Sequence, residues 1–294
     1  MRSRTGPESR PSPVGAVWRA ASCAAWCSSR CGRSGSRAAA PSGTARNPLR
    51  PQALLHQAAQ DAARHVVPTG LGLDNGPMRE RMVARLRAEG IRTQALLDAF
   101  AAVPRHRFVD TALAIQAYED TSLPIGLGQT ISKPSVVARQ LQWLFDGANA
   151  SRLGHLGRTL EIGTGCGYQT ALLARLAPTV ISIERLQPLH QAARRHLDAL
   201  GVPGVRLVHG DGRVGHAPNA PYDSIVAAAG GEAVPEAWLQ QLAVGGRLVA
   251  PTAMPGLAQG LAGQALVIVD RTVDGFVRQI GETVTFVPLK SGIG

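Results

Sequence analysis

RTLEIGTGCGYQTALLA, residues 158–174, combines a short apolar run, a glycine-rich turn and a segment with helical spacing. The run at 158–163 has the length and composition of a strand in a parallel sheet, and the helix is predicted to begin near Tyr168. Glycines in the turn permit a sharp change of direction and let a ligand approach the main chain. Because open α/β sheets bind ligands at the carboxyl ends of their strands, the turn predicts a binding site.

Strands and helices alternate from this point towards the C terminus. Further strands are predicted at 179–184, 205–210, 223–229 and 246–251. Intervening helices are predicted at 169–176 and 188–200. The alternation predicts an α/β fold with a mostly parallel, doubly wound sheet. Three more β-rich runs have no helix between them, so the sheet is predicted to end in antiparallel strands; they are 265–270, 275–280 and 282–289.

A helical piece is predicted before the sheet. In RERMVARLRAEGIRTQALLDAFAAV, residues 79–103, apolar residues recur at helical spacing and Gly90 separates two short helices. An irregular stretch is predicted around LPIGLGQTISKP, residues 123–134, and helix returns at Val137. The folded domain is predicted to span residues 78–294.

The spacing of the glycine turn separates two classes of ligand. A dinucleotide-binding turn has the pattern G-x-G-x-x-G, whereas residues 163–167 have G-x-G-x-G and Tyr168 occupies the place of the third glycine. This spacing argues against a nicotinamide oxidoreductase. Other features, the acidic residues near the strand ends, favour a nucleoside ligand that carries no phosphate.

Acidic residues near three strand ends point to S-adenosylmethionine as that ligand. Glu184 ends a strand, where a carboxylate suits a ribose diol. Glu161 is predicted to face a positively charged amino or sulfonium group, and Asp211 to accept from an adenine amine. Cys166 is expected to pack, with its backbone on the ligand, rather than to act as a reactive thiol. The predicted cofactor-binding residues are Glu161, Gly163, Thr164, Gly165, Cys166, Gly167, Glu184, Asp211 and Gly212.

Four motifs together resemble the protein-L-isoaspartate (D-aspartate) O-methyltransferase family. They are LEIGTGCGYQTALLA (160–174), VISIER (180–185), HGDG (209–212) and, most specifically, LPIGLGQTISKPSVVARQL (123–141). The resemblance implies a Rossmann-like class I methyltransferase fold. It also implies methyl transfer from S-adenosylmethionine to the free α-carboxylate of L-isoaspartyl residues, with D-aspartyl residues included in the family's name, as a repair of damaged proteins through a succinimide.

The same resemblance implies substrate contacts from Thr130, Ile131 and Ser132, with Ser132 as the active-site residue. The residues offer an independent reason: Pro134 suits the first turn of a helix, so Ser132 would lie just ahead of a helix amino end, which favours a carboxylate. A simple helix cap is the alternative role for this serine. The chain departs from the family at Leu127, where a polar residue is usual, and at Ala227–Gly231, where Thr-Ala-Ala followed by prolines is common.

Two other functions stay open from the sequence. The first is a methyltransferase for another acceptor, RNA or a small molecule; the absence of an Asn/Asp-Pro-Pro-aromatic motif at Ala227–Gly231 argues against an amino-group enzyme of that kind. The second is a basic nucleic-acid-binding module that uses the N-terminal segment.

Net charge is concentrated in that segment. The chain carries 31 Lys and Arg against 20 Asp and Glu, and nine of the arginines with only one acid, Glu8, lie in residues 1–50. Residues 1–77 are rich in Arg, Ala and Ser and are predicted to be disordered, either as an over-extended start or, alternatively, as a transit-like leader. The aromatic content of 4% argues against a stacking surface for single strands, so no nucleic-acid partner is expected.

Composition also bounds the location and metal content. No run approaches the roughly 18 apolar residues of a membrane span, and we expect a cytoplasmic globular enzyme that is monomeric and has no membrane partner. Cys23, Cys27 and Cys31 lack the paired spacing of a zinc site, so no metal is expected.

Overall fold

The computed structural model describes residues 76–254 and 263–294, all within the contact unit Gly70–Gly294. Apart from Gly76 and Pro77, the segment predicted to be disordered lies outside the described residues, as do its three cysteines. The predictions made for that segment therefore stay predictions.

Helices and a hairpin precede the sheet. These elements are α1 (Gly76–Ala88), α2 (Gln94–Ala102), 3-10 helices at Arg105–Phe108 and Thr111–Tyr118, β1 (Leu123–Gly126), β2 (Gln129–Ile131), α3 (Pro134–Phe145) and α4 (Ala148–Leu153). The prediction of two short helices around Gly90 is confirmed, since Gly90 has a φ of 93° between α1 and α2.

The prediction of an irregular stretch at 123–134 is wrong for most of its length. β1 and β2 pair antiparallel, with Leu123 opposite Ile131 and Pro124 opposite Thr130. The chain reverses through Gly126, Leu127 and Gly128, which all have positive φ. Short strands joined by such a turn have too few residues to show an alternating pattern in the sequence.

A seven-stranded sheet follows. Its strands are β3 (Arg158–Ile162), β4 (Thr179–Glu184), β5 (Val205–His209), β6 (Tyr222–Ala227), β7 (Leu242–Ala253), β8 (Gln264–Arg271) and β9 (Phe276–Val284). The strand order is β5-β4-β3-β6-β7-β8-β9. Pairing is parallel from β5 to β7 and antiparallel from β7 to β9, as predicted.

Helices cover the sheet. They are α5 (Tyr168–Leu176), α6 (Gln187–Ala199) and α7 (Glu236–Gln241). One buried cluster joins α2, α3 and α5 to β-strand residues such as Val180 and Val249, and a second joins Trp238 of α7 to residues such as Ile181 and Leu248. Because neighbouring strand residues point to opposite faces, these two clusters fill the two sides of the sheet. Within the described residues, no helix is long and apolar enough to cross a membrane.

The third predicted C-terminal strand, at 282–289, does not form as a separate element. Residues 282–284 extend β9, and beyond them Pro288 makes only an isolated bridge with Gly230. The Gly230 amide donates to the Val287 carbonyl at 2.8 Å, and the Leu289 amide donates to the Gly230 carbonyl at 2.7 Å. Proline has no N–H for a continuous ladder. The bridge instead holds residues 287–290 beside the end of β6.

Candidate functional site

A cavity of about 360 Å³ lies at the carboxyl ends of the parallel strands. Its walls come from the turn after β3, the end of β4, the β1–β2 hairpin and the segment 287–290. The predicted site residues that line it are Thr130, Ile131, Ser132, Gly163, Thr164, Gly165, Cys166, Glu184 and Gly212. Glu161, Gly167 and Asp211 do not line it. The structure thus brings the predicted cofactor side and the predicted substrate side to one cavity.

The turn between β3 and α5 depends on glycine conformation. Gly163, Gly165 and Gly167 have φ values of 92°, 56° and 92°, which side-chain-bearing residues rarely adopt. A Cβ on Gly165 would lie 3.2 Å from Cδ1 of Ile125, so the turn passes close to the hairpin. A Cβ on Gly167 would lie 3.3 Å from Cβ of Ala193 in α6. Gly167 therefore serves helix packing rather than the cavity wall.

Glu184 fixes the turn to the end of β4. Its Oε2 accepts from the Gly165 amide at 2.8 Å, and its Oε1 accepts from the Leu186 amide at 2.9 Å. The side chain is buried and lines the cavity. Each carboxylate oxygen can accept more than one hydrogen bond, so Glu184 still has acceptor capacity for a ligand.

Glu161 is fully buried and does not line the cavity. At this position it does not face a cationic group of a ligand, although the sequence had suggested that it would. Its Oε2 accepts from the hydroxyls of Thr170 at 2.5 Å and Ser182 at 2.6 Å. Because the Ser182 proton is used in this way, the Thr164 hydroxyl donates to Ser182 across 2.6 Å. Burial raises the pKa of Glu161 to about 7, although hydrogen bonds from Ser182 and Thr170 oppose the rise. Glu161 thus fixes the Thr164 side chain through the hydrogen bonds of the Ser182 hydroxyl.

Asp211 is also displaced from its predicted role. Its Oδ1 accepts from the Arg213 amide at 2.8 Å, and its Oδ2 accepts from the Gly292 amide at 2.6 Å. These bonds cap the short 3-10 helix Gly212–Val214 and hold the C-terminal segment. Gly212, the next residue, lines the cavity in its place.

Cys166 is buried on the cavity wall. Burial raises the pKa of its thiol to about 11, so the thiol stays protonated at neutral pH. His196 Nδ1 lies 2.9 Å from the Cys166 carbonyl oxygen. These features fit the expected packing role and give no sign of a reactive thiol.

Ser132 is half-buried on the cavity wall, and its hydroxyl has no hydrogen-bond partner among the described residues. The cap role is wrong, because Lys133 occupies the cap position of α3 without a side-chain bond. The helix end is not free for a substrate anion either, since the Asp120 carboxylate accepts from the Ser135 amide at 2.9 Å and hydroxyl at 2.7 Å. The Ser132 hydroxyl is therefore available to a ligand, without the helix end that the sequence suggested.

Arg105 holds the main chain at Ser132. The sequence did not identify this residue. It is fully buried, and its guanidinium donates to the carbonyls of Ala117 and Ser132 at 2.7 Å each. The guanidinium carbon lies 4.8 Å from the ring centroid of Tyr168, the first residue of α5. Burial lowers the pKa of Arg105. The residue links the substrate side to the cofactor side, but an arginine in RHRF gives no sequence signal for burial.

Gln169 is a second residue that the sequence did not single out. It lines the cavity with 7% of its surface exposed. Its side-chain amide opposes the rise in the pKa of Glu161, so the acceptor within its reach is that buried carboxyl group. The signal available was its place in the first turn of the helix after the glycines.

The chain resembles known proteins both in family and in individual relatives. The family model described as protein-L-isoaspartate(D-aspartate) O-methyltransferase matches residues 77–294. A protein-L-isoaspartate O-methyltransferase of Methylibium petroleiphilum is 60% identical over 245 residues, which cover 83% of this chain and 88% of the relative. Its counterpart from Leptothrix cholodnii is 56% identical over 246 residues, with coverages of 83% and 84%.

Solved structures give the same picture of the fold. A protein-L-isoaspartate O-methyltransferase matches with a TM-score of 0.64 and 27% identity, covering 74% of this chain and 67% of that one. A Plasmodium falciparum protein described as a beta-aspartate methyltransferase in complex with S-adenosyl-L-homocysteine matches with a TM-score of 0.61 and 21% identity, covering 72% and 98%. The second likeness bears on the fold alone. Both are consistent with the predicted Rossmann-like sheet.

Proposed function

The chain belongs to the protein-L-isoaspartate(D-aspartate) O-methyltransferase family, and on that premise we propose that its cavity holds S-adenosylmethionine beside the carboxylate of an isoaspartyl residue. The reaction transfers a methyl group to the free α-carboxylate of isoaspartyl residues in damaged proteins. One observation carries the assignment of the site: the glycine turn with Glu184 and the hairpin with Ser132 line the same cavity.

The residues on the cofactor side fit this group. S-adenosylmethionine supplies an activated methyl on a sulfonium sulfur. Glu184 offers carboxylate oxygens to ribose hydroxyls. Main-chain atoms of Gly163, Thr164, Gly165 and Cys166 and of Gly212 form the surrounding wall. Adding a Cβ to Gly212 would place it 2.6 Å from Cγ2 of Ile162, so this approach depends on glycine.

Three of the predicted cofactor residues support the site without lining it. Glu161 acts through Ser182 on Thr164, and Asp211 fixes the position of Gly212. Gly167 allows α5 to pack against Ala193 of α6. Their proposed contribution is to the geometry of the turn.

Catalysis on the substrate side needs alignment rather than proton transfer. An α-type carboxyl group has a pKa near 3.5, so at neutral pH it is already an ionised nucleophile and no general base is required. The Ser132 hydroxyl can donate to one carboxylate oxygen while Thr130 and Ile131 line the same side. Holding two reactants in line can lower a barrier by ~7 kcal/mol or more. The methyl ester then closes to a succinimide without further help from the protein.

We propose a monomer that acts in the cytoplasm on isoaspartyl proteins, including D-aspartyl sites, and has no nucleic-acid or membrane partner. The near balance of 22 basic and 19 acidic residues after position 50 supports the absence of a nucleic-acid surface in the folded part.

A pair of peptides tests the proposed function. Two synthetic peptides that differ only in an isoaspartyl or a normal aspartyl linkage are incubated with the full chain and methyl-labelled S-adenosylmethionine. We expect label in the isoaspartyl peptide and none in its twin. Equal labelling of both peptides would contradict the assignment, as would no labelling of either while calorimetry shows that S-adenosylhomocysteine binds.

Replacement of the active-site serine tests the site. Ser132→Ala removes the hydroxyl that faces the cavity, and we expect kcat/KM for the isoaspartyl peptide to fall on the order of 100-fold with unchanged S-adenosylhomocysteine affinity. Ser151→Ala is the matched control, because Ser151 donates to the Phe145 carbonyl outside the cavity. Unchanged turnover in Ser132→Ala would remove this serine from the substrate site.

A further inference from the structure

At the tip of the β1–β2 hairpin, an apolar residue has a backbone conformation that is unfavourable for it. Leu127 has a φ of 54° and lies between Gly126 and Gly128, whose φ values are 92° and 69°. Among the described residues it is the only non-glycine with positive φ. Leucine rarely adopts this conformation, for which glycine or asparagine is suited. A strained residue of this kind persists where its side chain has a use, which is most often at a ligand site.

Packing does not explain the leucine either. Its exposed fraction is 58%, so its side chain contributes little to the core. Leu127 nevertheless lines the cavity, together with Gln129, Thr130 and Ser132 of the same hairpin and its continuation. Leu127 is thus an exposed apolar group at the rim of the site, on the side that carries the substrate residues.

The dimensions of a peptide connect this rim to the substrate. An extended chain advances about 3.5 Å per residue, so when an isoaspartyl carboxylate lies in the cavity the residues next to it cross the cavity mouth. A polar neighbour placed against Leu127 would lose water without gaining a hydrogen bond. An apolar neighbour would bury apolar surface on both partners.

We propose that Leu127 is a specificity-determining residue that contacts the side chain flanking the isoaspartyl residue and favours an apolar side chain there. This inference rests on the proposed function and deepens it, because it names the sequence context of the preferred substrate.

Matched peptides and variants test the inference. Isoaspartyl peptides carry leucine or glutamine at the residues on either side of the isoaspartyl linkage, and kcat/KM is measured with the full chain. We expect the parent to prefer the leucine peptides by about ten-fold. Leu127→Asn keeps a residue that tolerates positive φ, so the turn is retained, and it is expected to reduce this preference to about two-fold or less. S-adenosylhomocysteine affinity is expected to stay unchanged.

The control variant is Val273→Asn. Val273 is 83% exposed and lies outside the cavity lining, so its replacement should leave the ten-fold preference intact. Equal loss of kcat/KM for leucine and glutamine peptides in Leu127→Asn, or a parent without preference, would overturn the inference while the proposed function stands. Failure of the proposed function would give a different result: the parent would methylate none of the isoaspartyl peptides, and the inference would be overturned with it.

Discussion

A single buried carboxyl group organises the floor of the site. Glu161 has no surface exposure and accepts hydrogen bonds from Thr170 and Ser182 on one oxygen, and the Gln169 side chain also favours its ionised form. Taking an ionised carboxylate out of water is costly, and this cost raises its pKa to about 7. The charge of this group therefore depends on pH near neutrality.

Glu161→Gln should change how stability depends on pH. Burial raises the pKa of Glu161 from 4.5 to about 7, so between these values the folded chain holds the proton more tightly than the unfolded chain. The free energy of unfolding of the parent should therefore decrease as pH rises through this window, by up to about 1.4 kcal/mol per pH unit. Glutamine does not titrate. Urea unfolding at pH 5 and pH 8 should show the variant gaining stability relative to the parent at the higher pH.

Glu232→Gln provides the control for that experiment. Glu232 is exposed, so its replacement should shift the parent curve little between the two pH values. Parallel pH curves for Glu161→Gln and the parent would show that Glu161 is ionised in the folded chain over the whole range, so that its pKa is not raised.

The sequence identified those site residues whose place at the end of a strand or in a turn indicates contact with a ligand. Glu184, Gly163 and Gly165 were expected at the ligand edge of the sheet, because the ends of parallel strands have a known relation to ligands, and all three line the cavity. Ser132 was placed correctly on the cavity wall, but for a reason that fails, since Asp120 occupies the helix end from elsewhere in the chain. Arg105 and Gln169 were missed because their burial and their contacts depend on tertiary packing, which no local pattern records.

At the scale of elements, predictability followed length and periodicity. β4 matches its predicted bounds of 179–184, and β3 matches its predicted run to within one residue, because buried parallel strands are continuous apolar runs. β7 begins at Leu242, four residues earlier than predicted, since two glycines at 245 and 246 interrupt its apolar pattern. The hairpin was missed because strands this short are stabilised by their turn and by the contacts around the cavity, which the local sequence does not show.

Gly167→Ala should disrupt the junction between the turn and α5. Its φ of 92° disfavours a side chain, and the added Cβ would lie 3.3 Å from Cβ of Ala193 and 3.5 Å from its backbone. We expect the free energy of unfolding to fall by roughly 2 kcal/mol, since strain in φ and crowding both contribute. S-adenosylhomocysteine affinity should also fall, because the preceding turn residues line the cavity. Urea unfolding and calorimetry measure the two effects.

Gly90→Ala separates the two causes. Gly90 has a nearly identical φ of 93°, but a Cβ there would meet no atom within 4 Å. This variant should lose about 1 kcal/mol from the φ term alone and keep the affinity of the parent. Equal losses in both variants, with unchanged affinity, would mean that contact with α6 has no part in shaping the turn.

At the scale of the whole molecule, charge and catalysis belong to different parts of the chain. The family match begins at residue 77, and the cavity is lined by residues 125–290. The arginine-rich residues 1–50 contribute most of the net charge of +11. Charge of this kind attracts polyanions in a salt-dependent way, which would be mistaken for a function of the enzyme if the full chain alone were studied.

Deletion of residues 1–75, which keeps α1 intact from Gly76, tests this separation. We expect kcat/KM for an isoaspartyl peptide to stay within about two-fold of the full chain, because none of the deleted residues lines the cavity as described. Binding of the full chain to a random DNA duplex should weaken steeply between 50 and 200 mM salt, with a log–log slope set by the number of phosphates contacted, and the deletion should abolish it. A full-length variant with glutamine at the nine arginines of residues 1–50 distinguishes charge from chain length. If the deletion lowers kcat/KM and the glutamine variant does so equally, the arginines assist capture of acidic protein substrates, and the separation of charge from catalysis is wrong.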